Sequence, residues 1–144
     1  MANFAKIGLS NVILNVVSMS NLETMTEGGV LDESIGIEKL SNQTGHETWL
    51  LCGKDLSDNV IRKNLPSTGW FYSEEHDGFH SPRPVDINGN VCNSWTLNGE
   101  TCLWESPIVQ PDSYFADGDR HEVVYHWNET AYQEDNTTGW EPQT

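Results

Sequence analysis

Apolar residues fall along this chain in short blocks whose spacing changes three times. Phe4-Ala5-Lys6-Ile7-Gly8-Leu9 and Val12-Ile13-Leu14-Asn15-Val16-Val17 are rich in aliphatic and β-branched residues, with Ser10-Asn11 between them. Two turn-forming residues between two such runs predict a tight antiparallel hairpin. The second run is nearly continuous in apolar positions, which predicts a strand covered on both faces. Residues 21–29 are polar and end on Gly28-Gly29, a loop. The spacing then lengthens. Ile35, Ile37 and Leu40 follow Asp32 and Ser34, either of which can cap a helix, and Gly45 stands where a helix would stop. One helix is predicted there, weakened by Gly36. Trp49-Leu50-Leu51-Cys52 predicts a strand, and residues 53–68 a polar loop that carries Lys54, Arg62 and Lys63.

From Trp70 onward the pattern repeats. Trp70-Phe71-Tyr72-Ser73-Glu74 runs on to Phe79-His80-Ser81-Pro82; Trp95-Thr96-Leu97-Asn98 runs on to Trp104-Glu105-Ser106-Pro107; Tyr125-His126-Trp127-Asn128-Glu129 runs on to Trp140-Glu141-Pro142. The first two units share a nine-residue step from first to last aromatic, and the third is lengthened by an insertion at residues 133–138. Such self-similarity marks a repeated supersecondary unit, here a β-hairpin. Residues 74–78 supply the first turn, and Asn98-Gly99 is the strongest short hairpin signal in the chain. Residues 86–90 and 112–120 read as linkers, with a turn at Asp117-Gly118-Asp119. The fold class is therefore α+β and β-dominated: an N-terminal α+β domain over residues 1–68, with a hairpin sheet and one short helix, then a β-repeat region over 69–144 with hairpins at 69–84, 94–111 and 121–142.

Charge narrows the partners. With 22 acidic and 7 basic residues the net charge is −15, which opposes binding to a nucleic-acid backbone, where Lys and Arg must displace counterions. It suits a crowded surface of copies that must not clump. The aromatic content, with 6 Trp, 4 Tyr and 4 Phe, and the regular turns argue for a folded chain against the disorder that high charge can bring. No apolar run approaches a membrane span, and no secretory leader pattern opens the chain. Asn42-Gln43-Thr44, Asn128-Glu129-Thr130 and Asn136-Thr137-Thr138 fit the glycosylation sequon and read as turn residues. Cys52, Cys92 and Cys102 make no Cys-x-x-Cys pair. They read as reduced buried thiols, although a Cys92–Cys102 bridge across a hairpin is geometrically conceivable.

Candidate chemistry is sparse. Glu74, Glu75, His76, Asp77 and His80 form the densest ionisable cluster; it is a metal site or acid/base pair, or a solvated hairpin tip, and the tip is the favoured reading. His121 or His126 could serve Cys92 or Cys102 as base, yet no glycine elbow surrounds either cysteine. Gly8 and Gly28-Gly29 form no phosphate loop. Asp112, Asp117 and Asp119 lack the alternate-ligand spacing of a calcium loop. No catalytic residue, metal or cofactor is assigned. The candidate binding residues are Trp70, Phe79, Trp95, Trp104, Trp127 and Trp140. Exposed, they are stacking platforms for sugar rings or anchors for a protein interface; buried, they are the core that lets short hairpins stand.

The opening Met1-Ala2-Asn3-Phe4-Ala5-Lys6-Ile7-Gly8-Leu9 resembles small virion-associated proteins of tailed phages that infect marine bacteria, especially cyanophages. The resemblance continues through Glu33-Ser34-Ile35-Gly36, Leu40, Thr44-Gly45, Arg62-Lys63-Asn64, the aromatic stretch from Trp70 to Phe79, Ser94 to Asn98, Trp104 to Pro107 and the tail from Tyr125 to Trp140, and so covers nearly the whole chain. The chain departs at Gly53-Lys54-Asp55-Leu56, where relatives are expected to carry a longer tyrosine-rich loop. The resemblance implies no activity. It implies a non-enzymatic virion protein, made in the host cytoplasm, that decorates the outside of capsid or tail. Its expected partners are capsid or tail proteins and further copies of itself. A glycan-binding adhesion module near the tail fibres, with a host surface glycan as partner, is the alternative. A third reading is an intracellular protein that modulates a host factor.

Overall fold

Ser10 and Asn11 both take left-handed backbone, with φ of 57° and 62°. This is what a tight turn between right-twisted strands requires. The turn joins β1 (Ala2–Ile7) to β2 (Ile13–Met19), with Phe4 opposite Val17 and Ala5 opposite Val16. The computed structural model describes residues 1–116, 118 and 121–143. β3 (Trp49–Cys52) pairs antiparallel with the other edge of β1, so the sheet order is β2-β1-β3. The central strand is thus β1. The expectation that the apolar run in β2 is covered on both faces fails: only Ile13 and Met19 of its residues are buried, and Leu14 is 45% exposed. Apolar density reports how much surface a strand can bury, not how much of it is covered.

The period of two along β1 divides the core. Ala2 and Phe4 turn to one face, where they cluster with Met19, Leu40, Trp49 and Leu51. Ala5 and Ile7 turn to the other, with Ile13, Cys52 and Phe79. The first face receives α1 (Glu33–Thr44), capped by the Asp32 carboxylate on the Ser34 N–H at 3.0 Å and ended by Gly45 at φ 76°. Gly36, a weakness by propensity, is where helix and sheet meet: a Cβ there would lie 2.2 Å from Phe4 Cζ. Asn42 of the first sequon lies inside this helix and not in a turn, because the caps on either side set its length.

The second face receives the first aromatic hairpin, β4 (Phe71–Ser73) and β5 (Gly78–His80), with Tyr72 opposite Phe79. A second hairpin joins β6 (Thr96–Asn98) to β7 (Leu103–Glu105). These two are built alike. In each, the Trp stands one residue before the first strand, four residues connect the strands, and the last of the four has positive φ: 46° at Asp77 and 56° at Cys102. Asn98-Gly99 is therefore not itself the turn. Asn98 ends β6, and Gly99 opens the connection at a point where a Cβ would lie 2.8 Å from the His76 ring.

A further pair of strands has its first member, β8 (Tyr114–Ala116), in the stretch 112–120 that reads as a linker, and its second, β9 (His121–Val123), at the start of the segment expected as the third hairpin. The expected turn residues Asp117 and Asp119, two of the three calcium-loop candidates, lie outside the described residues. In the third repeat β10 (Tyr125–Trp127) and β11 (Trp140–Pro142) pair directly, with Trp127 opposite Trp140. Their connection holds a second helix, α2 (Glu129–Glu134), capped by the Asn128 side chain on the Ala131 N–H at 3.0 Å.

The described residues thus form a β-dominated α+β chain with a three-stranded N-terminal sheet, further antiparallel hairpins and two helices. They divide into two compact units: Met1–Pro82 with Gly99–Leu103, and Arg83–Asn98 with Trp104–Thr144. The first aromatic hairpin, grouped in the sequence with the C-terminal repeats, packs with the N-terminal sheet.

Candidate functional site

The aromatic residues singled out in the sequence have different fates. In the first unit Phe79 is completely buried against the sheet, and half-buried Trp70 packs beside it while its carbonyl accepts the Ile13 N–H at 2.7 Å. Both are core. In the second unit Trp95, Trp127 and Trp140 form one cluster. The Trp127 and Trp140 centroids lie 5.1 Å apart at 71°, and Trp95 lies 5.8 Å from Trp127 and 5.9 Å from Trp140. Edge-to-face geometry of this kind suits the ring quadrupoles. Tyr132 of α2 adds a fourth ring, 5.5 Å from Trp127. Trp104 is engaged differently, with the Arg83 guanidinium 4.4 Å from its ring centre.

Beneath the cluster lies a buried carboxylate that the sequence pattern does not reveal. Glu129, 5% exposed, accepts from Trp127 Nε1 at 2.9 Å, the Ser94 hydroxyl at 2.6 Å, the Ser94 N–H at 3.2 Å and Gln133 Nε2 at 2.7 Å. Burial works against its charge, but the donors from Ser94, Trp127 and Gln133 outweigh it and hold the carboxyl below its ordinary range. Its own N–H donates to Asp86 Oδ2 at 2.9 Å, while Asp86 Oδ1 accepts the N–H groups of Asn88 and Asn90. Asp86 is likewise held low: desolvation is overcome by these backbone donors. The Asp86 turn, Asp-Ile-Asn-Gly-Asn, carries the local signature of a side chain bonding its own backbone two residues on. No local signal marks Glu129, whose partner Ser94 is 35 residues away.

The ionisable cluster of the first unit is a structural clasp. Asp77 accepts the Tyr72 hydroxyl at 2.7 Å and Arg62 Nε at 3.0 Å; the Tyr72 bond and then the guanidinium keep its carboxyl low. Arg62 also donates to Glu33 Oε2 and to the Leu51 carbonyl, each at 2.6 Å, so one side chain ties helix, sheet and hairpin tip. Burial disfavours its charge, yet Glu33 raises its pKa above the ordinary value. Asn64, at φ 61°, donates to the carbonyls of Phe79, Thr101 and Cys102. Glu74 and Glu75 are exposed, and the His76 ring packs at Gly99.

The three cysteines are free and buried. Burial pushes the Cys52 thiol up to about 12. Burial, then the Glu129 and Asp86 carboxylates, push Cys92 to about 11, and burial raises Cys102 as well. Thiols held protonated in this way are poor nucleophiles. Of the histidines offered as bases, His126 places Nε2 at 3.7 Å from Glu141, and His121 is exposed at the start of β9. Among the described residues no group of three or more His, Cys, Asp or Glu is placed to hold a metal ion, and no helix is long and apolar enough to cross a membrane.

The cavities are shallow. In the first unit a groove of about 720 Å³ runs past Asn3, Lys54, Asp55, Arg62 and Leu65. In the second unit a cleft of about 350 Å³ is lined by Trp95, His126, Trp127 and Trp140 together with Asp86 and Cys92. A neighbouring groove of about 440 Å³ shares Trp95 and Trp140 and adds Trp104, Glu105 and Gln110. Fold and site together define a β-rich protein whose second unit closes around a tryptophan cluster and a buried carboxylate. Compared with protein-family models, curated proteins and solved structures, the chain matches none.

Proposed function

We propose that this chain is a non-enzymatic accessory protein of a tailed-phage particle, displayed on the outside of capsid or tail and docked through its C-terminal unit. The observation that carries the reading is an apolar, acid-free stretch on a strongly acidic protein. Residues 106–111 contain no Asp or Glu, and their Val109 is 89% exposed. Tyr114 and Phe115 just beyond are 47% and 59% exposed. On a chain of net charge −15, contacts with a lattice form where like charges are sparse, while exposed acids such as Glu74 and Glu75 keep copies apart. The strongly engaged ionisable groups of the described residues, Arg62, Asp77, Asp86 and Glu129, are consumed in holding the fold. That favours a structural over a catalytic role.

Mass spectrometry of purified particles tests the location, and imaging of the particle with this chain tagged tests the position. The expected result is stoichiometric incorporation that Val109→Asp abolishes while the variant stays folded. A chain found only in the infected-cell lysate, or a variant incorporated like the parent, overturns the reading.

A further inference from the structure

We propose that the outer edge of β2 pairs antiparallel with the same edge of a second copy of this chain, about a two-fold axis at Val17. The sheet has two edges, and the chain treats them differently. At β3 the outward groups of Leu51 are taken by charged side chains: its N–H donates to Glu33 Oε2 and its carbonyl accepts from Arg62 Nη1, each at 2.6 Å. Just beyond the strand, the Gly53 carbonyl accepts the Ile61 N–H. Plugging an edge with charge is a known defence against strand addition. β2 has no such guard. None of its seven residues is charged or proline, and residues 7–22 carry no charged side chain at all.

Antiparallel alternation identifies the groups left open. The backbone of Leu51 faces outward, so Leu50 bonds its partner Ala5 in β1, and Phe4 and Lys6 turn the other way to Val17 and Asn15. The N–H and C=O of Val16 and Ser18 therefore point away from the sheet. At Ile13 the edge is closed: Trp70 accepts its N–H at 2.7 Å, and the Gly69 N–H donates to its carbonyl at 2.8 Å. At the other end the strand stops at Met19, and Ser20 caps a 3-10 turn over Asn21–Thr24. Between these ends, among the described residues, the Val16 N–H reaches only the Asn15 side chain beside it, at 2.9 Å, and no backbone group outside the sheet bonds the rest.

That open window is symmetric about Val17, with one outward residue on each side. A strand of the same sequence running the other way sets Val16 against Ser18 of its copy, twice over, and meets every open group. Self-complementarity of this kind is what a two-fold interface needs. Charge points the same way. Copies of net charge −15 repel one another over most of their surface, and this strip lets them approach without facing a carboxylate. It is also apolar: Leu9 is 92% exposed and Leu22 80%, and antiparallel pairing runs the Leu9 and Leu14 end of one copy along the Leu22 end of the other. The bonded window is short, so the expected dimer is weak, with a Kd of about 10–100 μM. This inference does not rest on a place in a particle; it holds or fails on the isolated protein.

Sedimentation equilibrium of the full-length protein across concentration measures the dimer, and amide hydrogen exchange by NMR reads Ser18. The expected result is a reversible dimer that strengthens as salt rises from roughly 0.05 M to roughly 0.5 M, because screening removes the repulsion between acidic copies. Protection of the Ser18 amide should grow with protein concentration. Val16→Pro deletes an N–H that the β1–β2 ladder does not use, a position where proline is tolerated. It should weaken association about tenfold or more while the near-ultraviolet circular dichroism is retained. Asn15→Glu brings a charge onto the strip at an exposed residue and should weaken association as well. A chain that stays monomeric up to about 1 mM overturns the proposal, including the case in which the edge takes a strand from another protein. So does a dimer that leaves the Ser18 amide unprotected, a dimer that salt dissociates, or a pair of variants that associate like the parent. Should Val16→Pro not fold, Asn15→Glu and the Ser18 amide of the parent still decide.

Discussion

The first unit is a sheet of strands four to seven residues long, closed by a helix on one face and a hairpin on the other, with Phe4, Ala5 and Phe79 sealed between them. Strands fully within the second unit are three residues long among its described residues. A three-residue ladder carries little by itself. The second unit compensates with large rings and with a carboxylate that gathers donors from β10, α2 and the segment before β6. Where backbone pairing is short, side-chain hydrogen bonding to distant segments takes over the work of fixing geometry. Such a unit is more sensitive to the loss of one polar group than a sheet with a dry core.

That contrast can be tested from the largest effect downward. Trp127→Ala removes the buried ring at the centre of the cluster and should destabilise the second unit by about 3–5 kcal/mol. Denaturant unfolding followed by near-ultraviolet circular dichroism would measure it, and a loss confined to that unit would separate the two bodies. Glu129→Ala strands the donors of Ser94, Trp127 and Gln133, with an expected cost of about 3 kcal/mol. A cost below that of an ordinary surface change would erase the distinction between the units. The same residue sets an acid response. Folded Glu129 and Asp86 titrate below their unfolded values. Their contribution is complete above the ordinary carboxylate range and is lost as pH falls through the folded values. Tryptophan signals should therefore decay in acid, and Glu129→Gln should flatten that dependence.

Gly36→Ala probes the dry core. In an exposed helix this change gains about 1 kcal/mol. Here the new methyl meets Phe4, and the expected result is a loss of about 1–3 kcal/mol in thermal unfolding. The smallest effect is Asn128→Ala, which removes the cap of α2 and should cost about 1 kcal/mol by the same assay.

The elements legible in the sequence are those whose causes lie within a few residues. Ser10-Asn11, Asp32 and Gly45 announce a turn, a cap and a stop, and the structure uses each. The nine-step between aromatics likewise reflects two hairpins whose connections end in the same left-handed backbone, at Asp77 and Cys102. What the pattern hides is set over long separations or by very short elements. α2 spans six residues, too few to show a helical period, and it begins at Glu129, where a turn insertion is expected only later. β8 presents two exposed aromatics, Tyr114 and Phe115, within a stretch whose composition reads as linker. The packing of the first hairpin against Ala5 and Ile7 is a tertiary fact with no local trace. At the site, the tryptophans announce themselves, but the buried carboxylate beside them does not: Glu129 takes its donors from Ser94, Trp127 and Gln133, and Ser94 is 35 residues away.

The buried thiols give the protein a built-in clock. Cys52 lies in the sheet of the first unit and Cys92 in the second, and each is 1% exposed. Burial also keeps both sulfurs protonated near neutrality. An alkylating reagent can reach either one only during a transient opening of the body that contains it. The labelling rate of each sulfur, read by peptide mass spectrometry, therefore counts how often its own body breathes. A second copy paired along β2 would slow the rate at Cys52 and leave the tempo at Cys92 unchanged.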